Sequence, residues 1–327
     1  MLLLNSSEVR RALPIEQAIE AMKEAFAALS SGRALVPHRA HLSIPKHSGI
    51  SLVMASYVEG AELPDEALAV KVVSLFDGNL GRGLARIQAV VVMIEPDTGR
   101  VAALLDGATL TSIRTAAASG AATDLLARRG AKTLALFGAG VQARAHLEAI
   151  CAIRPIETVR VYGQTPTKVE ALCRDFSNRV HCLPAKSPSD ALNDADIVCA
   201  TTTSRAPIFD DVDLELGVHI NAVGSFTPGA AEVPGETVVR AKVVVDSREA
   251  AWLEAGDLIQ PLQAGKISRE HIHAELGEIV TGAKPGRVNE QEVTFFKSVG
   301  IAVQDAIAAR VAVANARKLG IGSEIEW

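Results

Sequence analysis

Residue types able to do chemistry stand out first between Thr133 and Ile150, TLALFGAGVQARAHLEAI, in this 327-residue chain. An apolar run ends in Gly138-Ala139-Gly140 and passes directly into the helical spacing Val141, Ala145, Leu147 and Ile150. The pattern reads as strand, tight turn, helix. The first glycine permits the turn, the second lets a backbone approach a pyrophosphate, and the helix start offers unpaired N–H groups at a positive dipole end. Ala143 stands where the dinucleotide fingerprint has its third glycine, a position that needs only a small side chain for helix–strand packing. A short Gly-x-Gly also fits an ordinary β–α turn; the strands around it are what favour a nucleotide cradle. A second candidate is Lys71, a lone lysine inside the apolar run Ala69 to Phe76. An ammonium in such a place must be paired or functional, because burying an isolated charge is very costly.

The elements that would position these residues follow from periodicity. Leu2 to Leu4 reads as a short strand, with Ser6 or Ser7 capping a turn, and Pro14 opens a helix through Ala18, Met22, Phe26 and Leu29 that Gly32 stops. Strand patterns follow at His41–Ile44, Ser51–Val58, Ala69–Phe76, Ile87–Ile94 and Val101–Leu105, a β-rich region. Leu110 to Thr115 starts a small-residue helix, Ala116 to Ala127, that leads into the glycine turn. From there strands at Leu134–Phe137, Thr158–Tyr162, His181–Leu183, Ile197–Ala200, His219–Val223 and Val243–Val245 alternate with helical patterns, which predicts a doubly wound parallel sheet. Its ligand crevice lies at the strand carboxyl ends, here Gly163-Gln164-Thr165, Thr201-Thr202-Thr203 and Gly224-Ser225-Phe226 besides the glycine turn. A helical stretch through Trp252 and Leu258, a glycine-punctuated loop at Gly282–Arg287 and a final helix from Gln304 to Lys318 complete the chain.

Composition narrows the partners. A chain that is 48% hydrophobic and 22% charged is an ordinary globular one with length enough for two domains. Its net charge of −5 and pI near 5.9, with no basic block, argue against nucleic acid or an anionic membrane surface, so small molecules are expected. No apolar run is long enough to span a bilayer, and Met1 to Leu4 is too short for a signal peptide, so a cytoplasmic protein is expected. Cys151, Cys173, Cys182 and Cys199 show no disulfide or zinc spacing, and the close pairs His38/His41 and His271/His273 lack further ligands, so no metal is expected.

Seven stretches, KVVSLF at Lys71–Phe76 with Asn79, LTSIRTAAAS at Leu110–Ser119, GAGVQ at Gly138–Gln142, ADIV at Ala195–Val198, GVHINAVG at Gly217–Gly224, GAKPGR at Gly282–Arg287 and TFFKSVGIAVQD at Thr294–Asp305, carry a family likeness over nearly the whole chain. The chain resembles the ornithine cyclodeaminase/mu-crystallin family. The resemblance implies a Rossmann-type doubly wound parallel sheet, residues 119–305, inserted into an α+β substrate and dimerisation domain made of residues 1–118 and 306–327. It implies a homodimer, and the apolar final helix, Ala306 to Ala314, agrees with a face covered by a two-fold partner. It further implies that Arg39, Lys71 and Arg114 hold a substrate carboxylate, Lys71 and Arg114 being catalytic, with Phe226 in the substrate pocket. A guanidinium grips a carboxylate through two parallel bonds and a lysine adds a point charge and a proton; Thr111 and Thr115 beside Arg114 weigh against its being a plain surface arginine at a helix start, while Arg39 could as easily be solvated. The cofactor contacts expected from the cradle and the resemblance together are Arg114, Thr115, Gly138, Gly140, Val141, Gln142, Gln164, Thr165, Lys168, Thr202, Val223, Gly224 and Ser298.

One departure is informative. Cyclodeaminases of the family carry an aspartate at the position of Phe226 and often a lysine at that of Ala230. A phenyl ring accepts no proton, which disfavours cyclising deamination and leaves hydride transfer to a C=N bond. The resemblance then implies a ketimine reductase of proline metabolism, converting Δ1-pyrroline-2-carboxylate to L-proline or Δ1-piperideine-2-carboxylate to L-pipecolate. An alanine dehydrogenase, an ornithine cyclodeaminase and a non-enzymatic NADPH-dependent ligand-binding protein are the alternatives. The second nucleotide strand ends in Gly163-Gln164-Thr165 with no acid for the ribose hydroxyls, so NADPH is expected to serve at least as well as NADH, with Thr165, Lys168 and Arg144 as candidates for a 2′-phosphate. Either Lys71 or a bound water can supply the proton to the imine nitrogen.

Overall fold

The computed structural model describes residues 1–326; Trp327, the last residue of the segment assigned above to the substrate domain, lies outside the described residues. In chain order, β1 (Leu2–Leu4) is followed by α1 (Ser6–Ala12), α2 (Ile15–Ser30), β2 (Ala34–Leu35), β3 (Ala40–Ile44), β4 (Gly49–Val58), β5 (Ala67–Phe76), β6 (Ile87–Ile94), β7 (Val101–Asp106) and the long helix α3 (Gly107–Leu126). Then come β8 (Thr133–Phe137), α4 (Val141–Ile153), β9 (Thr158–Tyr162), α5 (Pro166–Phe176), β10 (His181–Pro184), α6 (Pro188–Leu192), β11 (Ile197–Ala200), β12 (His219–Ala222), α7 (Gly235–Arg240), β13 (Lys242–Val245), α8 (Arg248–Glu254), α9 (Gly256–Gln263), β14 (Ile272–Glu275), α10 (Leu276–Val280) and β15 (Thr294–Lys297). The chain closes with α11 (Ala302–Leu319) and β16 (Ser323–Glu324). Two compact units result, one of residues 1–114 with the segment from Ile301 onward, the other Thr115–Gly300.

In the first unit the strand order is β16, β1, β7, β6, β5, β4, with β2 and β3 both pairing with β4. Side chains alternate between the two faces of this sheet. Leu52, Met54, Ser56 and Val58 of β4 share one face with Ala67, Ala69, Lys71 and Val73 of β5, all buried. Helix α11 packs across that face and α2 packs on α11. The small buried residues Ala306, Ala309, Ala312 and Ala316 let α11 approach its neighbours closely, and Arg310 pairs with Glu24 of α2 at 2.6 Å. This corrects one expectation: the apolar final helix is buried by its own chain, not held out for a partner subunit. The surface left uncovered is the opposite face of the sheet, where Val53, Val72 and Val90 stand in register across β4, β5 and β6. Val53 and Val90 are 42% and 37% exposed.

The second unit is built on eight parallel strands in the order β10, β9, β8, β11, β12, β15, β13, β14. Two of these, β14 and β15, extend the six strands read from sequence. Leu134 and Leu136 join Val159, Val161, Ile197 and Cys199 in a core under α4 and α5, while Ala135, Phe137, Val198, Ala200, Ile220 and Phe295 point into a second core on the other face. Burial on both sides is what makes the strands continuously apolar. The order of strand addition reverses at β8: β9 and β10 are laid down on one side of it and β11 and β12 on the other, so the sheet has its switch point at the glycine turn.

Helix α3 starts at Gly107, a little before the Leu110 to Thr115 start expected, because the Asp106 carboxylate accepts the Thr109 N–H at 2.8 Å as a cap. Its last carbonyls are taken by two arginines: Arg154 donates to Thr123 O and Asp124 O, and Arg287 to Leu126 O at 2.6 Å. The GAKPGR loop therefore serves the fold, as a cation closing a helix carboxyl end. No helix among the described residues is long and apolar enough to cross a membrane.

Candidate active site

Lys71 projects from the buried face of β5 and is 1% exposed. Its Nζ lies 2.7 Å from Asp305 Oδ2, in the first turns of α11. Arg114 of α3, also buried, donates from Nε to Asp305 Oδ1 at 3.1 Å and from Nη1 to Gln304 Oε1 at 2.9 Å. Gln304 Oε1 further accepts the Ile301 N–H, so the amide that meets Arg114 is fixed by the helix start it caps. Two cations thus share one carboxylate, an arrangement with an excess positive charge suited to one more anion. Burial pushes the Lys71 ammonium down to about 8; Asp305 opposes that shift, while Arg114 and, nearby, Arg39 add to it. Arg39 precedes β3 and is half-buried.

Asp305 and Gln304 are the members of this cluster that sequence reasoning missed. The available signal was an acid within the otherwise apolar IAVQDAIA, the complement of a lysine within an apolar strand.

In the second unit, β8 runs into Gly138 at φ +108, a backbone conformation that side chains disfavour, and a Cβ there would lie 2.8 Å from Thr201 Oγ1. Gly140 is the N-cap of α4 and provides no side-chain cap. Val141 in the first turn is 66% exposed, and the buried Gln142 Oε1 has no hydrogen-bond partner. An uncapped helix start, a close glycine approach and an orphaned amide oxygen suit a pyrophosphate-bearing coenzyme. At the end of β9, Gln164, Thr165 and Lys168 are exposed. Arg144 is engaged elsewhere: it pairs with Asp175 and lies over the Phe176 ring at 5.4 Å.

The carboxyl ends of β11 and β12 are held by one buried acid. Glu232 accepts from Thr202 N–H and Oγ1 at 2.8 and 2.7 Å, and from the N–H groups of Gly224 and Ser225 at 2.7 and 3.1 Å. Burial raises its carboxyl pKa, and Lys297 and the Thr202 hydroxyl oppose that. Beneath it Asp257 pairs with Lys297 at 2.7 Å and accepts the Ser225 hydroxyl. Phe226, next in the loop, is half-buried against the unit's core, and Val223 is half-buried before it. Ser298, at the end of β15, is buried with its hydroxyl on Asp246 at 2.8 Å. Thr115 is half-buried on α3, one residue past Arg114.

Gly224 has no room for a side chain, since a Cβ would lie 2.1 Å from Thr202 O. Gly224→Ala is therefore expected to push the two loops apart at a cost of about 1–3 kcal/mol. A lowered urea midpoint, with weaker coenzyme binding by fluorescence titration, checks it.

An eight-stranded parallel sheet with a Gly-x-Gly turn at its switch point defines a dinucleotide-binding α/β protein, here joined in one chain to a unit carrying a buried Lys–Asp–Arg cluster. The chain belongs to the ornithine cyclodeaminase/mu-crystallin family, whose model matches residues 1–319. It is 40% identical to the Delta(1)-pyrroline-2-carboxylate reductase of Bacillus cereus over the full length of both chains. Among solved structures it is similar to Thermococcus litoralis Delta(1)-pyrroline-2-carboxylate reductase in complex with NADH and L-proline, with TM-score 0.94 and 41% identity, covering 99% of this chain and 100% of that one. It is also similar to an archaeal alanine dehydrogenase dimer with bound NAD, with TM-score 0.93 and 31% identity, covering 100% of this chain and 99% of that one.

Proposed function

We propose that this chain is an imine reductase that converts Δ1-pyrroline-2-carboxylate to L-proline and Δ1-piperideine-2-carboxylate to L-pipecolate. The observation that carries the reading is the buried Lys71–Asp305–Arg114 cluster, whose excess positive charge one substrate carboxylate balances. The reductases to which the chain is 40–41% identical support it. So does Phe226, which stands at the position where the family's cyclodeaminases carry an aspartate.

Gly138, Gly140, Val141 and Gln142, with the loops at Thr202 and Gly224, would hold a reduced nicotinamide coenzyme, which would supply the hydride. The chain's own residues do the rest. Arg114 grips the carboxylate and fixes which face of the imine is presented, with Arg39 adding charge. Lys71, with a pKa near 8, is mostly charged at neutral pH and delivers the proton to the imine nitrogen as the carbon is reduced. Loss of nicotinamide absorbance with the cyclic imine tests this. Turnover with pyruvate and ammonia but not the imine would make the protein an amino-acid dehydrogenase, and coenzyme binding without turnover would make it a binding protein.

The finer coenzyme reading is that NADPH serves at least as well as NADH. Gln164 and Thr165 offer no carboxylate to repel a 2′-phosphate, and Lys168 is exposed close by in the chain. Comparison of kcat/KM for the two coenzymes checks it, and a clear preference for NADH would overturn it. The reading also includes a cytoplasmic homodimer, the location following from a reaction that draws on an intracellular reductant. The row of Val53, half-buried Val72 and Val90 is the face a second copy would cover. Light scattering is expected to give twice the 34.4 kDa chain mass, and Val90→Glu to lower it.

A further inference from the structure

Lys71 and Arg114 lie on different elements, and what joins them is a third residue from the far end of the chain. Asp305 divides its two oxygens between them, Oδ2 to Lys71 Nζ at 2.7 Å and Oδ1 to Arg114 Nε at 3.1 Å. Its neighbour Gln304 takes Arg114 Nη1 at 2.9 Å, so consecutive residues of α11 hold two of the three guanidinium nitrogens and fix the plane of the group. Lys71, Arg114, Gln304 and Asp305 are all at least 95% buried, where an ion pair is weakly screened and a lost partner is costly.

We propose that Asp305 is the positioning residue of this site: its carboxylate keeps the Lys71 ammonium charged and aims Arg114, so that the pair is ready for an incoming carboxylate and for proton delivery. This inference rests on the imine-reductase reading for its kinetic consequences, but its charge-holding part does not.

The electrostatics run one way. The charged groups that act on Lys71 are Asp305 from α11, Arg114 from α3 and Arg39 from the segment before β3. Burial and both arginines favour the neutral amine, and Asp305 alone among these favours the ammonium. Replacing the carboxylate with an amide of the same shape leaves two buried cations facing each other, and the one able to lose its proton does so. A donor works only when protonated, so the alkaline fall in kcat must then move to lower pH.

The experiment is a direct titration of Lys71 by carbon NMR in protein labelled with [ε-13C]lysine, its signal assigned by its loss in Lys71→Arg, in wild type, Asp305→Asn and Asp305→Glu. The expected result is a wild-type midpoint near 8, a midpoint at least one pH unit lower in Asp305→Asn, and near-restoration in Asp305→Glu. Kinetics on the same samples should show the alkaline limb of kcat moving with the midpoint and KM for the cyclic imine rising about tenfold in Asp305→Asn, with KM for the coenzyme unchanged. An unmoved Lys71 midpoint in a folded Asp305→Asn overturns the proposal. If that variant fails to fold, a wild-type midpoint below neutrality does so, because the carboxylate would then not keep the ammonium charged where the enzyme works. A moved midpoint in a protein that never reduces the imine upholds the charge-holding role of Asp305 and defeats the imine-reductase reading instead.

Discussion

Lys71→Ala lowers kcat for the cyclic imine by about two decades or more, the range for losing a general acid, while the coenzyme still binds. The size of the loss follows from where the ammonium sits. Burial holds it at about 8 against the opposing charge of Asp305, so it is protonated at neutral pH and close enough to that range to give its proton up. The wild-type kcat should therefore be level near neutrality and fall as pH rises through about 8, the region where the donor is lost. In Lys71→Ala that fall disappears together with the rate. Lys71→Arg separates two roles, since a guanidinium keeps the charge but cannot deprotonate; it should hold KM within a few-fold while kcat collapses. Steady-state rates over a pH series for the three proteins decide the matter. A Lys71→Ala enzyme with full kcat and an unchanged alkaline limb would assign the proton to water.

Arg114→Ala raises KM for the imine by about one to two decades, the loss expected for a charge-assisted contact of about 1.5–3 kcal/mol. KM for the coenzyme changes far less, as the cradle at Gly138 and Gly140 is untouched. Two further effects accompany the deletion: Gln304 Oε1 loses a donor and Asp305 is left with Lys71 alone. Some loss of stability follows, so the kinetic split between substrate and coenzyme is the diagnostic reading. Arg114→Lys should recover only part of the affinity, because an ammonium cannot span Asp305, Gln304 and a substrate carboxylate as a planar fork does. Equal loss of both KM values would place Arg114 outside the substrate site.

How legible these features were in the sequence depended on how local their causes are. The turn Gly138-Ala139-Gly140 is a short-range pattern, and the second unit is the Rossmann-type sheet it announces. Helix α1 was not legible as a helix: Ser6 and Ser7 suggested a turn, but the cap is Asn5, whose side chain accepts the Ser7 and Glu8 N–H groups while Glu8 reaches back. Strand β15, buried Thr294–Lys297, follows a polar loop and carries a lysine, and that lysine is tolerated because Asp257 neutralises it from elsewhere in the fold. The same holds for the site. Lys71 declared itself as a charge among apolar neighbours, but its partner is on α11 and Arg114 stands 191 residues from Asp305, a separation no periodicity spans. The apolar final helix was legible as buried but not as buried by its own α2, β4 and β5, since composition says that a face is covered and not by what.

The first unit is discontinuous, and this fixes an order on its assembly. Strands β4 and β5, with Lys71 on the face α11 covers, leave the ribosome before residues 115–300, and α11 follows after them. At synthesis rates of about 5–20 residues per second the wait is on the order of ten seconds or more. During that interval the nascent sheet presents a strip of alanine, valine and leucine around an ammonium without its carboxylate, while the nucleotide unit can complete its own core. A chain ended by a stop anywhere in that stretch keeps the strip uncovered for good, so such fragments are material for chaperones and proteases and never a dormant substrate-binding domain.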